Sequence, residues 1–339
     1  MSCFNKMILV LVLMAIAATS LRGQVKKGQV GFRFLENQIS AEAIGRGGMG
    51  IITFKNSNAV FWNPAGLGFI KGKIDFNMNY TKGIADINHS SFVVALPFEN
   101  IGVVALDLLV MDYGEFYGTR RADNEQGYVE TGTFSPGSYA IGLSISRKVS
   151  ERFSFGVRLK YARQDLGSAW IAVAGTDLDD PALKIEQKSY NLGQFAFDVG
   201  AVYDFLFRSI RFGAAIQNVS KEIKYEEEKF PLPFAAGFSF MMDPIALIKQ
   251  EEQQNSLIIG FETRHPRDFN ERYMIGAEYN YQNLFILRSG YMGNYDERGF
   301  TFGLGVRQEF LNTNLRIDYS YKDFGIFSAE HTFSFGCTY

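Results

Sequence analysis

The sequence has very little cysteine, histidine and tryptophan. Among its 339 residues there are two cysteines, three histidines and two tryptophans. Cys3 belongs to the N-terminal leader described below, so Cys337 has no partner for an internal disulfide in the mature chain. No Cys/His cluster has the spacing of metal ligands, and the histidines are scattered. We therefore expect no metal centre, no cofactor and no histidine-based catalysis.

An excess of charge of one sign and long apolar runs are also missing. The net charge of −2 argues against a nucleic-acid partner. Residues 1–23 have the charged start, short apolar middle and small-residue end of a signal peptide, with cleavage expected after Ser20 or Gly23. Beyond them no stretch reaches 18 apolar residues. An exported chain of this kind is either soluble or an outer-membrane β-barrel.

The strongest pattern that is present is a period of two. In residues 153–162 every odd position is apolar, and every even position is small or charged. This period is typical of strands with two different faces. The apolar faces are rich in aromatics and the other faces in Gly, Ser and Ala, which favours a membrane barrel over a soluble sandwich. We predict an all-β fold in which residues 71–339 form a 14-stranded antiparallel transmembrane β-barrel. The predicted strands are 71–82, 87–98, 101–113, 136–148, 152–165, 190–206, 210–219, 233–243, 255–264, 272–282, 284–293, 299–309, 312–321 and 331–339.

The predicted connections alternate in length, as outer-membrane barrels require. Long connections are expected at 114–135, 166–189 and 220–232, and short ones at 99–100, 150–152, 207–209, 282–283 and 311–313. Residues 243–255 break this rule, and we expect a short helix there. The final strand carries Phe333, Phe335 and a terminal Tyr339, which resembles the signal that barrel-assembly machinery reads.

If the apolar faces meet outer-membrane lipid, the charged side chains of the strands point into the lumen. Both signs occur in similar number, which favours salt-bridged packing over a charge-selective pore. No pair of carboxylates stands out for acid–base chemistry, so we do not expect an enzyme. The predicted lumen charges are Asp75, Asp107, Arg158, Lys160, Asp198, Arg211, Glu262, Glu278, Arg288, Arg307, Arg316 and Asp318.

Residues 24–70 do not alternate and contain two glycine-rich motifs, AIGRGGMG (43–50) and FWNPAGL (61–67). The glycines lack the spacing and the Lys-Ser/Thr of a phosphate-binding loop. Placed before a 14-stranded barrel, the two motifs resemble the FadL-type outer-membrane superfamily and, within it, the PorV/PorQ family. The resemblance implies that residues 24–70 form a hatch in the lumen and that the protein lies in the outer membrane after export. The hatch motif would comprise Gly45, Gly47, Gly48, Gly50, Trp62, Asn63, Pro64, Ala65, Gly66 and Leu67.

Two functions follow from this resemblance. A PorV-like protein binds the C-terminal signal domain of a type IX secreted cargo and passes it from the translocon to the surface-attachment complex. Its partner contacts are expected in loop 167–187, where Trp170, Ile171 and Val173 lie in an apolar run. The alternative is a FadL-like transporter of long-chain fatty acids or other hydrophobic small molecules. Phe54, Phe61, Trp62 and Phe69 are then the candidate ligand contacts. A lipopolysaccharide deacylase, a third activity associated with PorV-like proteins, lacks a nucleophile constellation here. We favour the PorV-like function.

Overall fold

The computed structural model describes residues 28–174, 184–206, 210–248 and 254–339. The predicted signal peptide and the predicted connection 207–209 lie outside the described residues.

Fourteen antiparallel strands form a closed barrel, as predicted. Each barrel strand pairs with the next barrel strand along the chain, and the first closes the barrel against the last, with Asp75 opposite Thr338. The barrel strands are β1 (Asp75–Lys82), β2 (Asn88–Phe98), β3 (Gly102–Asp112), β6 (Gly137–Lys148), β7 (Phe153–Ala174), β8 (Lys184–Asp204), β9 (Arg211–Val219), β12 (Ala235–Met242), β13 (Ser256–Pro266), β14 (Arg272–Tyr281), β15 (Phe285–Gly293), β16 (Phe300–Phe310), β17 (Thr313–Lys322) and β18 (Glu330–Thr338). The remaining strands form two small hairpins, β4 (Phe116–Arg121) with β5 (Tyr128–Phe134) and β10 (Ile223–Tyr225) with β11 (Glu228–Phe230).

The two faces of the wall differ as the sequence predicts. In β6, Tyr139, Ile141, Leu143 and Ile145 are exposed on the outside, whereas the residues between them are buried inside. Because strand side chains alternate, one face of each strand meets lipid and the other meets the lumen. The apolar outer face is therefore the surface on which the barrel contacts the membrane.

Tight turns close one end of the barrel. Gln282 and Asn283 both have φ of 54°, and Leu311 and Asn312 have φ of 46° and 62°. Two consecutive left-handed residues are the signature of a type I′ turn, whose twist suits a two-residue hairpin connection. The predicted short helix in 243–255 is confirmed at Ile245–Ile248.

At the opposite end, which we call the long-connection end, the predicted loops are wrong in detail. Residues 114–135 contain the hairpin β4–β5, and 220–232 contain β10–β11. Much of the predicted loop 166–189 is strand. β7 continues to Ala174, and β8 begins at Lys184. We call residues 166–174 and 184–194 the arm. Register shifts near Asp165 and Ala172 interrupt the alternation there, which hides the strand in the sequence.

The N-terminal segment, residues 28–70, lies in the lumen and forms the core with the inner wall. At the long-connection end the Gly31 N–H donates to the Pro231 carbonyl at 3.1 Å. A short helix, α1 (Ala41–Gly45), packs against β15–β18. Residues 38–54 are all buried. The segment also contains three 3₁₀ helices, one before α1 and two after it, through which the chain runs towards the tight turns. They are Arg33–Glu36, Ser57–Phe61 and Pro64–Phe69.

Candidate functional site

The motif FWNPAGL ties the N-terminal segment to the wall. The Asn63 side chain accepts the Ala65 N–H at 3.0 Å, and Pro64 starts the 3₁₀ helix after it. The same Asn63 amide donates to the carbonyls of Ala201 (3.2 Å) in β8 and Ala214 (3.3 Å) in β9. One buried side chain therefore caps the helix and anchors it to two strands.

The motif AIGRGGMG and Trp62 fit together inside the segment. The Trp62 Nε1–H donates to the Gly48 carbonyl at 3.3 Å. A β-carbon on Gly50 would lie 2.3 Å from the Trp62 ring, so only glycine leaves room for the indole. Trp62 also packs against Phe54, with ring centroids 5.0 Å apart. The glycines and the tryptophan therefore belong to one packed unit.

Glycines of the wall let the N-terminal segment approach closely. A β-carbon on Gly290 would lie 2.1 Å from the Gly47 nitrogen, and one on Gly276 would lie 2.3 Å from the Arg46 carbonyl oxygen. Gly47 has φ of 73°, and its N–H donates to Thr301 Oγ1 at 3.0 Å. Our sequence reasoning missed this contact, although glycines on the lumen face were its visible signal.

Two buried carboxylates satisfy backbone groups of the N-terminal segment. Glu262 Oε2 accepts the N–H groups of Gly50 and Ile51, each at 2.9 Å. Asp75 Oδ1 accepts the Ser57 N–H at 2.7 Å. Both carboxylates are at most 1% exposed. A loop in the lumen cannot pair its backbone with a strand ladder, so these bonds replace that pairing.

The predicted salt-bridged packing of the lumen charges is confirmed. Lys160 lies 2.7 Å from Asp198, and Arg158 bridges Asp198 (3.3 Å) and Asp107. Arg158 also covers the Phe61 ring, 5.2 Å from its centroid. These charges neutralise one another within the wall.

A second network joins the wall to α1. Arg288 pairs with Glu278 and Asp318, each at 2.6 Å, and Arg46 reaches the same Glu278. Arg46 is also paired with Glu42 at 3.3 Å. Removing one member of such a buried network leaves an unpaired charge, so the network resists movement of the segment.

Lys55 lies at the tight-turn end of the lumen. Its side chain reaches solvent, but the surrounding wall removes part of its hydration. This desolvation, with a smaller contribution from Arg211, lowers the pKa of Lys55 to about 8.

The four candidate ligand contacts are distributed along the N-terminal segment. Phe54 and Trp62 are 2% exposed and belong to the main apolar cluster, which Phe61 adjoins. Phe69 lies in a second cluster near the tight-turn end, where Arg211 stacks 5.5 Å from its centroid. The closed structure thus divides the four rings between two packed clusters.

A cavity of about 580 Å³ opens at the long-connection end. It lies between the arm, hairpin β10–β11 and residues 28–31, and none of the four candidate contacts lines it. Its wall is mixed, with Leu192 and Phe230 beside Glu222, Lys229 and Arg267. This size and lining suit an organic ligand or the side chains of a bound polypeptide.

Alternating cations and aromatic rings surround a second cavity of about 340 Å³ at the same end. Arg272 stacks between Phe269 (4.3 Å) and Tyr295 (4.5 Å), and Arg298 covers Tyr295 at 5.3 Å. Burial raises the pKa of the nearby Glu36, against the opposing effect of Arg33. Sequence reasoning missed this cluster because its members come from separate connections.

The predicted partner residues lie on the arm. Trp170 is 46% exposed, and Ile171 is half-buried beside it in β7. Val173 is in the same strand, but its side chain lies outside the described residues. On hairpin β4–β5, Tyr117 is 83% exposed, and it lines a groove with Trp170. Two protruding hairpins thus present aromatic side chains to the same side.

The C-terminal aromatics face outward. Phe333, Phe335 and Tyr339 are 53%, 38% and 55% exposed. The Tyr339 carbonyl accepts the Ile74 N–H at 3.1 Å, which fixes the end of β18 where β1 begins.

The fold and its apolar outer face define a class of protein, a 14-stranded outer-membrane β-barrel. Among the described residues, no helix is long and apolar enough to span a membrane. Within the same residues, no cluster of His, Cys, Asp and Glu has the arrangement of a metal site.

The sequence matches the family described as type IX secretion system protein PorV over residues 24–264, so the chain belongs to the PorV family. No curated protein is detectably similar in sequence. The fold resembles that of a Pseudomonas aeruginosa FadL homologue, with 14% identity, a TM-score of 0.54 and coverage of 89% of this chain and 98% of that one. It also resembles the Ralstonia pickettii toluene transporter TbuX, with 14% identity, a TM-score of 0.55 and coverage of 88% and 97%. At these identities the likeness concerns the fold alone.

Proposed function

We propose that this protein receives the C-terminal signal domain of type IX secreted cargo at the outer face of the outer membrane. It then passes that domain from the translocon to the surface-attachment complex. Membership of the PorV family supports the link to type IX secretion. The observation that carries the binding role is the pair of protruding hairpins with exposed Trp170 and Tyr117. Aromatic side chains that stand out from a polar surface are typical anchors of protein interfaces.

In this proposal residues 24–70 act as a hatch. In the described part of this segment, the contacts of Asn63 and Arg46 with the wall and of Gly50 with Glu262 of β13 support a closed lumen. Cargo is then handled on the outer surface, and the barrel serves as a membrane-held platform.

The cavity of about 580 Å³ favours a second function, transport of a hydrophobic small molecule. In that case the molecule enters at the long-connection end and meets Phe54, Phe61, Trp62 and Phe69 only after the hatch has moved. The buried ion pair between Arg46 of the segment and Glu278 of the wall opposes such a movement.

The test compares a deletion strain with strains carrying point variants. Trp170→Ser combined with Tyr117→Ser should reduce surface-displayed cargo, whereas fatty-acid uptake should be unchanged. Ile326→Ser is the control, because Ile326 is 85% exposed in residues 323–329, the connection between β17 and β18. Normal cargo display together with lost uptake in the deletion strain would reject the secretion role.

A further inference from the structure

The pairing between β8 and β9 ends well before β8 does. Asn218 adopts a left-handed φ of 60°, and its N–H donates to Asp198 Oδ1 at 2.7 Å. Its side-chain amide donates to the Pro233 carbonyl at 2.8 Å. The register between β8 and β9 shifts at the same point, between Phe197 and Val199. The β8–β9 ladder therefore stops at a built feature, a bulge held by a buried carboxylate.

Beyond this point β8 continues with one open edge. On one edge, residues 184–196 of β8 run alongside β7 and pair with it. On the opposite edge, which faces away from β7, no strand pairs with them within the described residues. Tyr161 and Phe195, cross-strand partners with ring centroids 5.0 Å apart, lie on the outer face of the wall where β8 loses its second partner, and aromatic residues on that face are typical of the membrane interface. Residues 184–194 thus lie outside the membrane. An open edge presents a row of unpaired N–H and C=O groups.

Hairpin β10–β11 lies beside this edge, and in the part of the chain that the structure describes no backbone–backbone hydrogen bond joins the two. Tyr190 meets Tyr225 with centroids 6.2 Å apart, and Lys188 pairs with Glu226 at 2.5 Å. Gln194 Nε2 donates to the Lys221 carbonyl at 2.8 Å. Because the ion pair is 41% and 51% exposed, it holds the hairpin only weakly. On its outer side the seam between β8 and the hairpin is therefore closed by side-chain contacts, whereas Ile223 holds the inner face of the hairpin in the main apolar cluster.

We propose that the open edge of β8, residues 184–194, binds an extended segment of a partner protein by adding it to the sheet as a strand. A row of backbone donors and acceptors matches an extended backbone and no compact ligand. The cavity of about 580 Å³ lies directly inside the seam and accepts the alternate side chains of the added strand. Leu192 and Tyr225 line it on the two sides of the seam. The identity of the partner as a cargo signal domain rests on the proposed function.

The test locks the seam in the purified full-length protein. Tyr190→Cys and Tyr225→Cys, in a Cys337→Ser background, are joined with a short bismaleimide. The control joins Arg120→Cys to Val129→Cys, which are cross-strand partners in β4–β5. The probe is a fluorescent C-terminal signal domain of a type IX cargo. Locking the seam should weaken probe binding at least tenfold relative to the same two-cysteine variant before cross-linking, whereas the control cross-link should not weaken it relative to its own unlinked form. Hydrogen exchange of residues 184–194 should slow when the probe binds.

The possible outcomes separate this inference from the proposed function. Equal binding with and without the locked seam overturns strand addition but leaves cargo binding in place. If only the control cross-link abolishes binding, strand addition at β8 is also overturned, and the binding site lies on β4–β5 instead. No binding by any variant overturns both. A dimer that the locked seam abolishes, without probe binding, would assign the edge to a second copy of this chain.

Discussion

Replacing Glu262 by Ala should loosen the N-terminal segment more than a change of similar size elsewhere. The substitution leaves the N–H groups of Gly50 and Ile51 buried without an acceptor. An unsatisfied buried group costs about 1–3 kcal/mol, so the two together cost about 2–6 kcal/mol. Glu262→Gln keeps an acceptor oxygen and loses the charge. Because neutral hydrogen bonds are weaker, we expect this variant to lower the free energy of opening the segment by about 2 kcal/mol.

The assay follows opening of the segment through a buried thiol. Ser57→Cys, in the Cys337→Ser background, places a thiol at a position that is 0% exposed. When reclosing is faster than labelling, the labelling rate is proportional to the population of the open form. Glu262→Ala should therefore accelerate labelling by at least about 30-fold, since each ~1.4 kcal/mol is a factor of ten. The control is Thr263→Ala, the next residue on the same strand. Equal labelling rates for Glu262→Ala and Thr263→Ala would refute the tethering role.

Three further predictions concern the same segment. Replacing Asn63 and Pro64 together by Ala removes a helix cap and two hydrogen bonds to the wall. We expect the free energy of opening, measured in the same labelling assay, to fall by about 2–4 kcal/mol; an unchanged labelling rate would contradict this. Gly290→Val places side-chain atoms where the Gly47 backbone lies, so the variant should lose heat-modifiable migration, whereas Gly299→Val, with no neighbouring atom within 4 Å, should keep it. Lys55, whose pKa is lowered to about 8, should lose its proton as pH rises through 8 and react with acylating reagents with a midpoint there; a midpoint above 10 would contradict its desolvation.

The wall of the barrel was predictable because alternation records the two environments directly. In β6 the exposed Tyr139 and Ile141 alternate with the buried Ala140 and Gly142, and this pattern is visible without coordinates. The type I′ turns at Gln282-Asn283 and Leu311-Asn312 also fall where short connections were expected.

The arm was not predictable, because two register shifts move its apolar residues from one face to the other. Hairpin β4–β5 was missed because most of both its faces is exposed, so burial imposes no period of two. The partners within the lumen also depend on the closed barrel. Arg46 and Glu278 are 232 residues apart in sequence, and only the folded wall brings them together.

The central claim is that cargo contacts the outer hairpins of a barrel that stays closed. The most direct measurement replaces single residues by a photoreactive phenylalanine and asks which of them cross-links to a secreted cargo in cells. Trp170, on the arm, and Lys55, at the tight-turn end of the lumen, are the two decisive positions. We predict that the cargo signal domain cross-links at Trp170 and not at Lys55. Cross-linking at Lys55 without cross-linking at Trp170 would place the cargo inside the lumen and contradict this account.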